Sequence, residues 1–176
     1  DVKEVASPMG WAKNPKLVLD FYNERRRQLK AALPNEGHFA LVKLEEKFDV
    51  TIVTQNVDNL HERAGSSRVV HLHGELIKAR STTNEDLVYE IGYKDINLGD
   101  KCEEGSQLRP HIVWFHEAVP KMQEAVEYAA EADIFIVVGT SMEVYPAASL
   151  IQYAPDNSLK YVIDPHSPAE AKRYKN

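Results

Sequence analysis

Two histidines one residue apart, His71 and His73, are the first groups in this sequence able to do chemistry. An imidazole titrates near neutral pH, so either could serve as a general base. Residues two apart on an extended segment project to one face, so both could instead ligate a metal, with His61 or Asp58 as further ligands. Hydrogen-bonded structural histidines are the third reading, and the pair alone does not separate the three. Upstream, Gln55, Asn56 and Asp58 close an apolar run. Their amide and carboxylate groups offer donors and acceptors to ribose hydroxyls or a carboxamide, or serve only to stabilise a turn. Gly139-Thr140-Ser141 follows another apolar run. Glycine there lets backbone N–H groups approach a phosphate and the hydroxyls add hydrogen bonds, although a strand-to-helix turn asks for the same glycine. Tyr22 and Arg25, three apart, share a helix face on which a phenol and a guanidinium could clamp a carboxylate. Arg26 and Arg27 beside them read as a solvated basic face.

Periodicity supplies the elements that must hold these groups. Asn14-Pro15 is a cap residue followed by proline at the first helical position, and Leu17, Phe21, Arg25 and Leu29 follow at i+4 spacing beside Val18 and Tyr22. Pro34 to Gly37 breaks this helix, and a second is predicted from His38 to Lys47. Five short apolar runs read as buried strands: 50–53, 69–72, 112–115, 134–138 and 161–163. A helical stripe of Met122, Ala125, Val126, Ala129 and Ala130 and a helix from Pro146 to Tyr153 alternate with the later runs. Alternating strands and helices predict an α/β fold, a Rossmann-like parallel sheet with helices on both faces. Ligands in such sheets bind beyond the carboxyl ends of the strands, where the polar residues collect. Residues 78–107 interrupt the pattern as a small strand-bearing module, expected to hold together through Leu87, Tyr89, Ile91 and Tyr93. The expected organisation is a core of residues 36–77 and 108–176, a helical segment of a small domain at 1–35, and the module at 78–107.

Bulk composition narrows the function classes. Twenty-one Lys and Arg against 27 Asp and Glu give a net charge of −6 over 176 residues, which disfavours nucleic acid and anionic membranes as partners. Cys102 is the only cysteine, so neither an internal disulfide nor a thiolate-rich zinc site is expected. No apolar run is long enough to cross a membrane and no signal-peptide pattern opens the sequence. A soluble, cytoplasmic-type monomer is the expectation.

Taken in order, Thr54-Gln55-Asn56-Val57-Asp58-Asn59-Leu60-His61, His71-Leu72-His73-Gly74, Leu108-Arg109-Pro110-His111-Ile112-Val113-Trp114-Phe115 and Gly139-Thr140-Ser141 resemble the sirtuin family. The likeness runs from about Ala6 to Asp164. Phe21-Tyr22-Asn23-Glu24-Arg25-Arg26-Arg27 resembles its class III subgroup, which includes bacterial enzymes and removes acidic acyl groups. The resemblance implies an NAD-dependent protein-lysine deacylase acting on an acyl-lysine protein or peptide and releasing nicotinamide and O-acyl-ADP-ribose. It places Gln55, Asn56 and Asp58 around the nicotinamide ribose and carboxamide, with Asn56 and His73 as catalytic residues. The acyl-lysine oxygen would attack the ribose anomeric carbon, and His73 would be the general base toward a ribose hydroxyl. Gly139, Thr140 and Ser141 would face the phosphate and ribose side of NAD and Asp164 the adenosine ribose. Val113 and Phe115 would line the lysine tunnel, Glu117 and Val119 would flank the peptide backbone, and Tyr22 and Arg25 would recognise a succinyl or malonyl carboxylate. His116 stands where the family has glycine and is expected to crowd the substrate. The family's zinc module uses two cysteine pairs, and Cys102 alone implies no metal here. Its Gly-Ala-Gly loop precedes the matched segments, and a stretch of chain without that loop is expected to hold NAD poorly. Two other functions stay open: a metal-dependent hydrolase built on Asp58, His61, His71 and His73, and a non-catalytic NAD or ADP-ribose binder.

Overall fold

A computed structural model describes residues 2–140 and 146–164. The chain forms two compact units, Asp1–Ala118 and Val119–Asn176. The first begins with three helices, α1 (Val2–Val5), α2 (Pro8–Lys13) and α3 (Pro15–Ala31). Ser7 caps α2 by accepting from Gly10 N at 3.0 Å, and Asn14 caps α3 by accepting from Leu17 N at 3.0 Å. Proline follows each cap, where its missing N–H costs nothing.

The buried face of α3 is Val18, Leu19, Tyr22, Asn23, Arg26 and Leu29. Leu17 and Phe21, which open the predicted stripe, are 44% and 37% exposed. Arg26 corrects the solvated reading outright, for it is 0% exposed. Its Nε donates to Lys94 O at 3.1 Å, one terminal nitrogen to Leu76 O at 3.3 Å, and the other to Asn23 Oδ1. Asn23 in turn donates to Ile96 O and accepts from Ile96 N, both at 3.0 Å. Buried backbone groups need partners, and these two side chains serve the irregular segment 94–96 that no strand reaches. Burial pushes the Arg26 pKa down to about 10, which still leaves it charged at neutral pH. Residues 1–35 and 78–107 are thereby tied together through polar side chains, to which the Arg27–Asp95 ion pair at 2.8 Å adds.

Helix α4 (Glu36–Leu44) starts two residues before His38. Asn35 accepts from Gly37 N and His38 N while His38 Nδ1 accepts from Asn35 N at 3.1 Å, a capping box with histidine in the usual Glu position. Strand β1 (Ile52–Thr54), helix α5 (Leu60–Ala64) and strand β2 (Val69–His71) follow, with β1 and β2 parallel from Ile52↔Val69 to Thr54↔His71. Strand β3 (Gly74–Ser81) is the centre of an antiparallel sheet, flanked by β4 (Val88–Glu90) and β5 (Leu108–Ile112). The predicted core strand at 112–115 is therefore displaced. Trp114 N bonds a Glu117 carboxylate and Phe115 N bonds Ala6 O, so neither enters a ladder. Val18, Tyr22, Leu29, Leu76, Ile112 and Trp114 form the core, and Leu19, Ala79 and Ile96 form a second cluster.

Within 78–107 the buried hydrophobes are Ala79, Ile96 and Cys102, while Leu87, Tyr89, Ile91 and Tyr93 are half-buried. Polar side chains supply the remaining ties. Ser81 Oγ accepts from Thr83 N and Asn84 N at 3.2 Å, Thr83 bonds Ser106 at 2.6 Å, Asn84 donates to Glu104 at 3.1 Å, and Tyr89 donates to Glu103. One thiol among hydroxyls and carboxamides does not fit a two-cysteine-pair metal site, and these groups are already spent on one another.

The second unit contains α6 (Met122–Ala130), β6 (Ile134–Val138), a 3-10 helix at Ala147–Gln152 and β7 (Leu159–Ile163). Strands β6 and β7 are parallel, from Ile134↔Leu159 to Val138↔Ile163. The helix predicted from Pro146 is thus a tighter 3-10 element. Val137 packs with Ala148 and Ile151, but Ile134, Ile136 and Val138 are 38%, 40% and 55% exposed, so β6 is buried on one face only. Among the described residues no helix is long and apolar enough to cross a membrane.

Candidate active site

The loop between β1 and α5 carries Gln55, Asn56 and Asp58, and its shape is imposed from outside. Three consecutive carbonyls each meet a donor from the β2–β3 segment. His73 Nδ1 lies 3.2 Å from Gln55 O, His71 Nδ1 lies 3.2 Å from Asn56 O, and Leu76 N donates to Val57 O at 2.8 Å. The loop adds its own closures, Asn56 N to Thr54 Oγ1 and Leu60 N to Asp58 Oδ1, both at 3.0 Å. Asn56 is left exposed and Gln55 and Asp58 half-buried. Gly74 makes this possible: at φ +82 it reverses the chain after His73, and a Cβ there would sit 2.1 Å from His111 O. Val113 N then donates to His73 O at 3.0 Å, tying the histidine to the segment after β5.

The two histidines, one at the end of β2 and one in the turn before β3, are tuned in opposite directions. A carbonyl can only accept, so His73 carries its proton on Nδ1 and presents Nε2 as a lone pair. Burial pulls its pKa below 6.5, only partly opposed by the Gln55 bond. It is neutral at physiological pH, as a base must be. For His71, burial also favours the neutral form, but the Glu62 carboxylate 2.7 Å from Nε2 outweighs it and raises the pKa.

Val113 is half-buried and Phe115 is 48% exposed on the turn that follows β5. Glu117 organises that turn. Its two oxygens take Arg109 at 2.7 and 3.1 Å and Trp114 N at 2.8 Å, while Arg109 also donates to Ile112 O at 2.8 Å. The Arg109 guanidinium lies 3.3 Å over the Trp114 ring, and Trp114 Nε1 donates to Tyr22 Oη at 3.1 Å. Tyr22 and Arg25 thus differ in setting: the phenol is 5% exposed in the core, and Arg25 is exposed on the adjoining turn of α3.

His116, at φ +72, is the one non-glycine residue with positive φ among the described residues. The left-handed region costs an L-residue ~1–2 kcal/mol, and glycine forfeits about 0.5–1 kcal/mol of that through unfolded-state entropy. His116→Gly is therefore expected to raise unfolding stability by about 1 kcal/mol. Urea denaturation with an unchanged m-value checks this, and a loss of stability would show that the imidazole makes compensating contacts.

In the second unit, Gly139 closes β6 at φ +58, with its N–H on Ile163 O at 3.0 Å. Thr140 follows, Asp164 follows β7, and both are half-buried; Ser141 lies outside the described residues. Val119 opens this unit, its carbonyl accepting from Met122 N at 3.1 Å. The four side chains of the metal-hydrolase reading do not converge. Asp58 caps Leu60 N, His61 stacks on His38 with centroids 4.8 Å apart, and His71 and His73 each address a separate carbonyl. Glu62, His71 and Glu75 do bring ligand-type atoms within 4.8 Å, but Glu62 is held by His71 and Glu75 by Lys78 at 2.7 Å. Sequence reasoning missed Glu62 and assigned no role to Arg109. The two reach His71 and Glu117 across the fold at spacings that no helical or strand period picks out.

The sequence matches the Sir2 family over residues 1–146. It is 58% identical over 165 residues to an NAD-dependent protein deacylase of Helicobacter pylori, covering 94% of this chain and 72% of that protein. A protein of the same name from Bacteroides thetaiotaomicron is 52% identical over 169 residues, covering 93% and 72%. Among solved structures, a Sir2 homologue–NAD complex superposes with a TM-score of 0.87 at 38% identity, covering 96% of this chain and 68% of that one. A Sir2 bound to acetylated peptide superposes with a TM-score of 0.83 at 30% identity, covering 96% and 74%. The α/β fold is that of these solved structures, and the chain belongs to the Sir2 family.

Proposed function

We propose that the protein removes acyl groups from lysine side chains of proteins or peptides with NAD as co-substrate, and that succinyl and malonyl groups are its preferred cargo. The observation that carries the reading is His73, neutral, with Nδ1–H fixed on Gln55 O and Nε2 presented beside the polar loop. NAD supplies a ribose carbon with nicotinamide as its leaving group. The loop residues suit such a molecule. Gln55 and Asn56 offer amide donors and acceptors, Asp58 a carboxylate for hydroxyls, and Asn59 Oδ1 is a buried acceptor with no hydrogen-bond partner among the described residues. His73 Nε2 takes a proton from a ribose hydroxyl, and Asn56 orients the reacting end. Gly139, Thr140, Ser141 and Asp164 take the phosphate and adenosine side. Val113 and Phe115 flank the lysine stem, and the backbone from His116 through Glu117 to Val119 meets the peptide.

Acyl preference rests on Tyr22 and Arg25. Trp114 Nε1 donates to the phenol oxygen, so the Tyr22 O–H is left to donate outward. Burial, opposed by that bond and by the Arg109 and Arg25 charges, pushes the phenol up to about 12, so it remains a donor at working pH. Arg25 adds the charge that a carboxylate needs. Arg25→Met is expected to cut kcat/KM on a succinyl-lysine peptide by about tenfold or more, the scale of a charged hydrogen bond, and to leave an acetyl-lysine peptide nearly unchanged. Nicotinamide release and peptide mass measured with both substrates give the answer. Equal losses would remove the clamp; no NAD-dependent loss of either acyl group would remove the deacylase reading.

A further inference from the structure

We infer that Glu62 and His71 form a positioning device for the NAD-contacting loop: a doubly protonated imidazole that holds the Asn56 carbonyl against the carboxylate of α5. The inference deepens the deacylase reading and rests on it for its functional consequence. Its structural part stands on geometry alone. His71 Nδ1 faces Asn56 O at 3.2 Å and Nε2 faces Glu62 Oε1 at 2.7 Å. Neither partner has a proton to give while Glu62 is ionised, so both ring nitrogens donate.

Glu62 stays ionised. Burial alone would raise its carboxyl, but the His71 bond and its own backbone N–H hold it below 4.5. Other charges around the ring favour the same state. Glu75 on β3 faces His71, partly offset by Lys78 at 2.7 Å from Glu75, and His61 on α5 is shifted toward neutral by burial and by His38. The His71 side chain is 7% exposed while Glu62 is 39% exposed, so water reaches the carboxylate end of the pair but little of the ring, and a charged donor makes the stronger hold on a carbonyl.

The arrangement separates two tasks between the end of β2 and the turn that follows it. His73 uses the same Nδ1-to-carbonyl bond but has no carboxylate at Nε2, which keeps it a neutral base. His71 has one, which keeps it a cation. Through Asn56 O the cation fixes the backbone of an exposed residue of the loop. Acting through Asn56 rather than on the substrate, His71 is a positioning residue.

The sign of the pH dependence follows. The hold exists while His71 is protonated, so it is complete below 6.5 and is lost as pH rises through the elevated folded value. Imidazole resonances of the purified protein are expected to show both His71 nitrogens protonated at neutral pH, and only one in Glu62→Gln, which keeps a hydrogen-bonding group without its charge. In steady-state assays Glu62→Ala is expected to raise KM for NAD by about tenfold. Its alkaline rise in KM should begin at lower pH than in the parent, and Glu62→Gln should recover part of the loss. A singly protonated His71 in the parent, or a parent-like KM profile in both variants, overturns the inference. Should Glu62→Ala fail to fold, the resonances and profile of Glu62→Gln decide alone. A parent protein without NAD-dependent turnover would instead refute the deacylase reading, and the His71 resonances would still report on the pair.

Discussion

Replacing His73 with alanine is expected to lower turnover by about a hundredfold or more, the span that a positioned general base contributes, while the fold survives. The fold survives because its two ladder-like ties at this point are main-chain: Val113 N to His73 O at 3.0 Å, and the Gly74 turn packed on His111. What disappears is a ring nitrogen whose tautomer the Gln55 carbonyl fixes. The pH profile supplies an independent mark. Because burial lowers the His73 pKa, the acid limb of kcat/KM in the parent should lie below 6.5, with the base form already complete at neutral pH. His73→Ala should lose that limb along with the rate. Nicotinamide release at several pH values measures both, and undiminished turnover would end the assignment of His73 as base.

The sequence made this site legible because its chemistry is local. Gln55, Asn56 and Asp58 sit within one turn, and His73 precedes a glycine whose positive φ and close approach to His111 O explain why no other residue stands there. Caps were legible for the same reason, since Asn14 and Pro15 act within one turn of α3. What failed was anything settled by which partner a side chain finds, near or far in sequence. Periodicity assigned Arg26 to solvent because charge usually marks an exposed face, yet the Lys94 and Leu76 carbonyls and the Asn23 amide oxygen give its guanidinium partners inside the core. The run 112–115 looked like a strand because apolarity does not report hydrogen-bond partners. There a side-chain carboxylate replaced the neighbouring strand. Residues 78–107 were expected to close on Leu87, Tyr89, Ile91, Tyr93 and neighbours; Ile91 and Tyr93 do pack against buried clusters, and Ala79, Ile96, Cys102 and a set of hydroxyl and carboxamide bonds add to them.

That carboxylate should also carry the largest stability effect. Glu117→Ala is expected to destabilise the first unit by about 3–5 kcal/mol, the usual result of stripping the partner from a buried charge. Arg109, with its side chain 9% exposed, would lose both of its carboxylate contacts and keep Ile112 O at 2.8 Å, and Arg80, 8% exposed and 3.6 Å from Glu117, would keep its ion pair with the solvent-facing Glu85. Two desolvated guanidiniums would then face each other across an empty site. A fall in melting temperature of about 10 °C or more corresponds to this loss. Removing Arg109 as well should restore part of it, because Arg109→Met takes away one of the stranded charges; a double-mutant cycle reads that coupling. The pH dependence gives a second handle. Burial alone would raise the Glu117 carboxyl, but Arg109 and the Trp114 N–H hold it below 4.5. Its contribution is therefore complete above 4.5 and lost as pH falls through the folded value, a slope that Glu117→Ala should lack. Since the same oxygens shape the turn bearing Phe115 and the left-handed His116, activity should fall with stability even at temperatures where the variant stays folded. An additive cycle with parent-like acid stability would mean that water, not Glu117, neutralises Arg109.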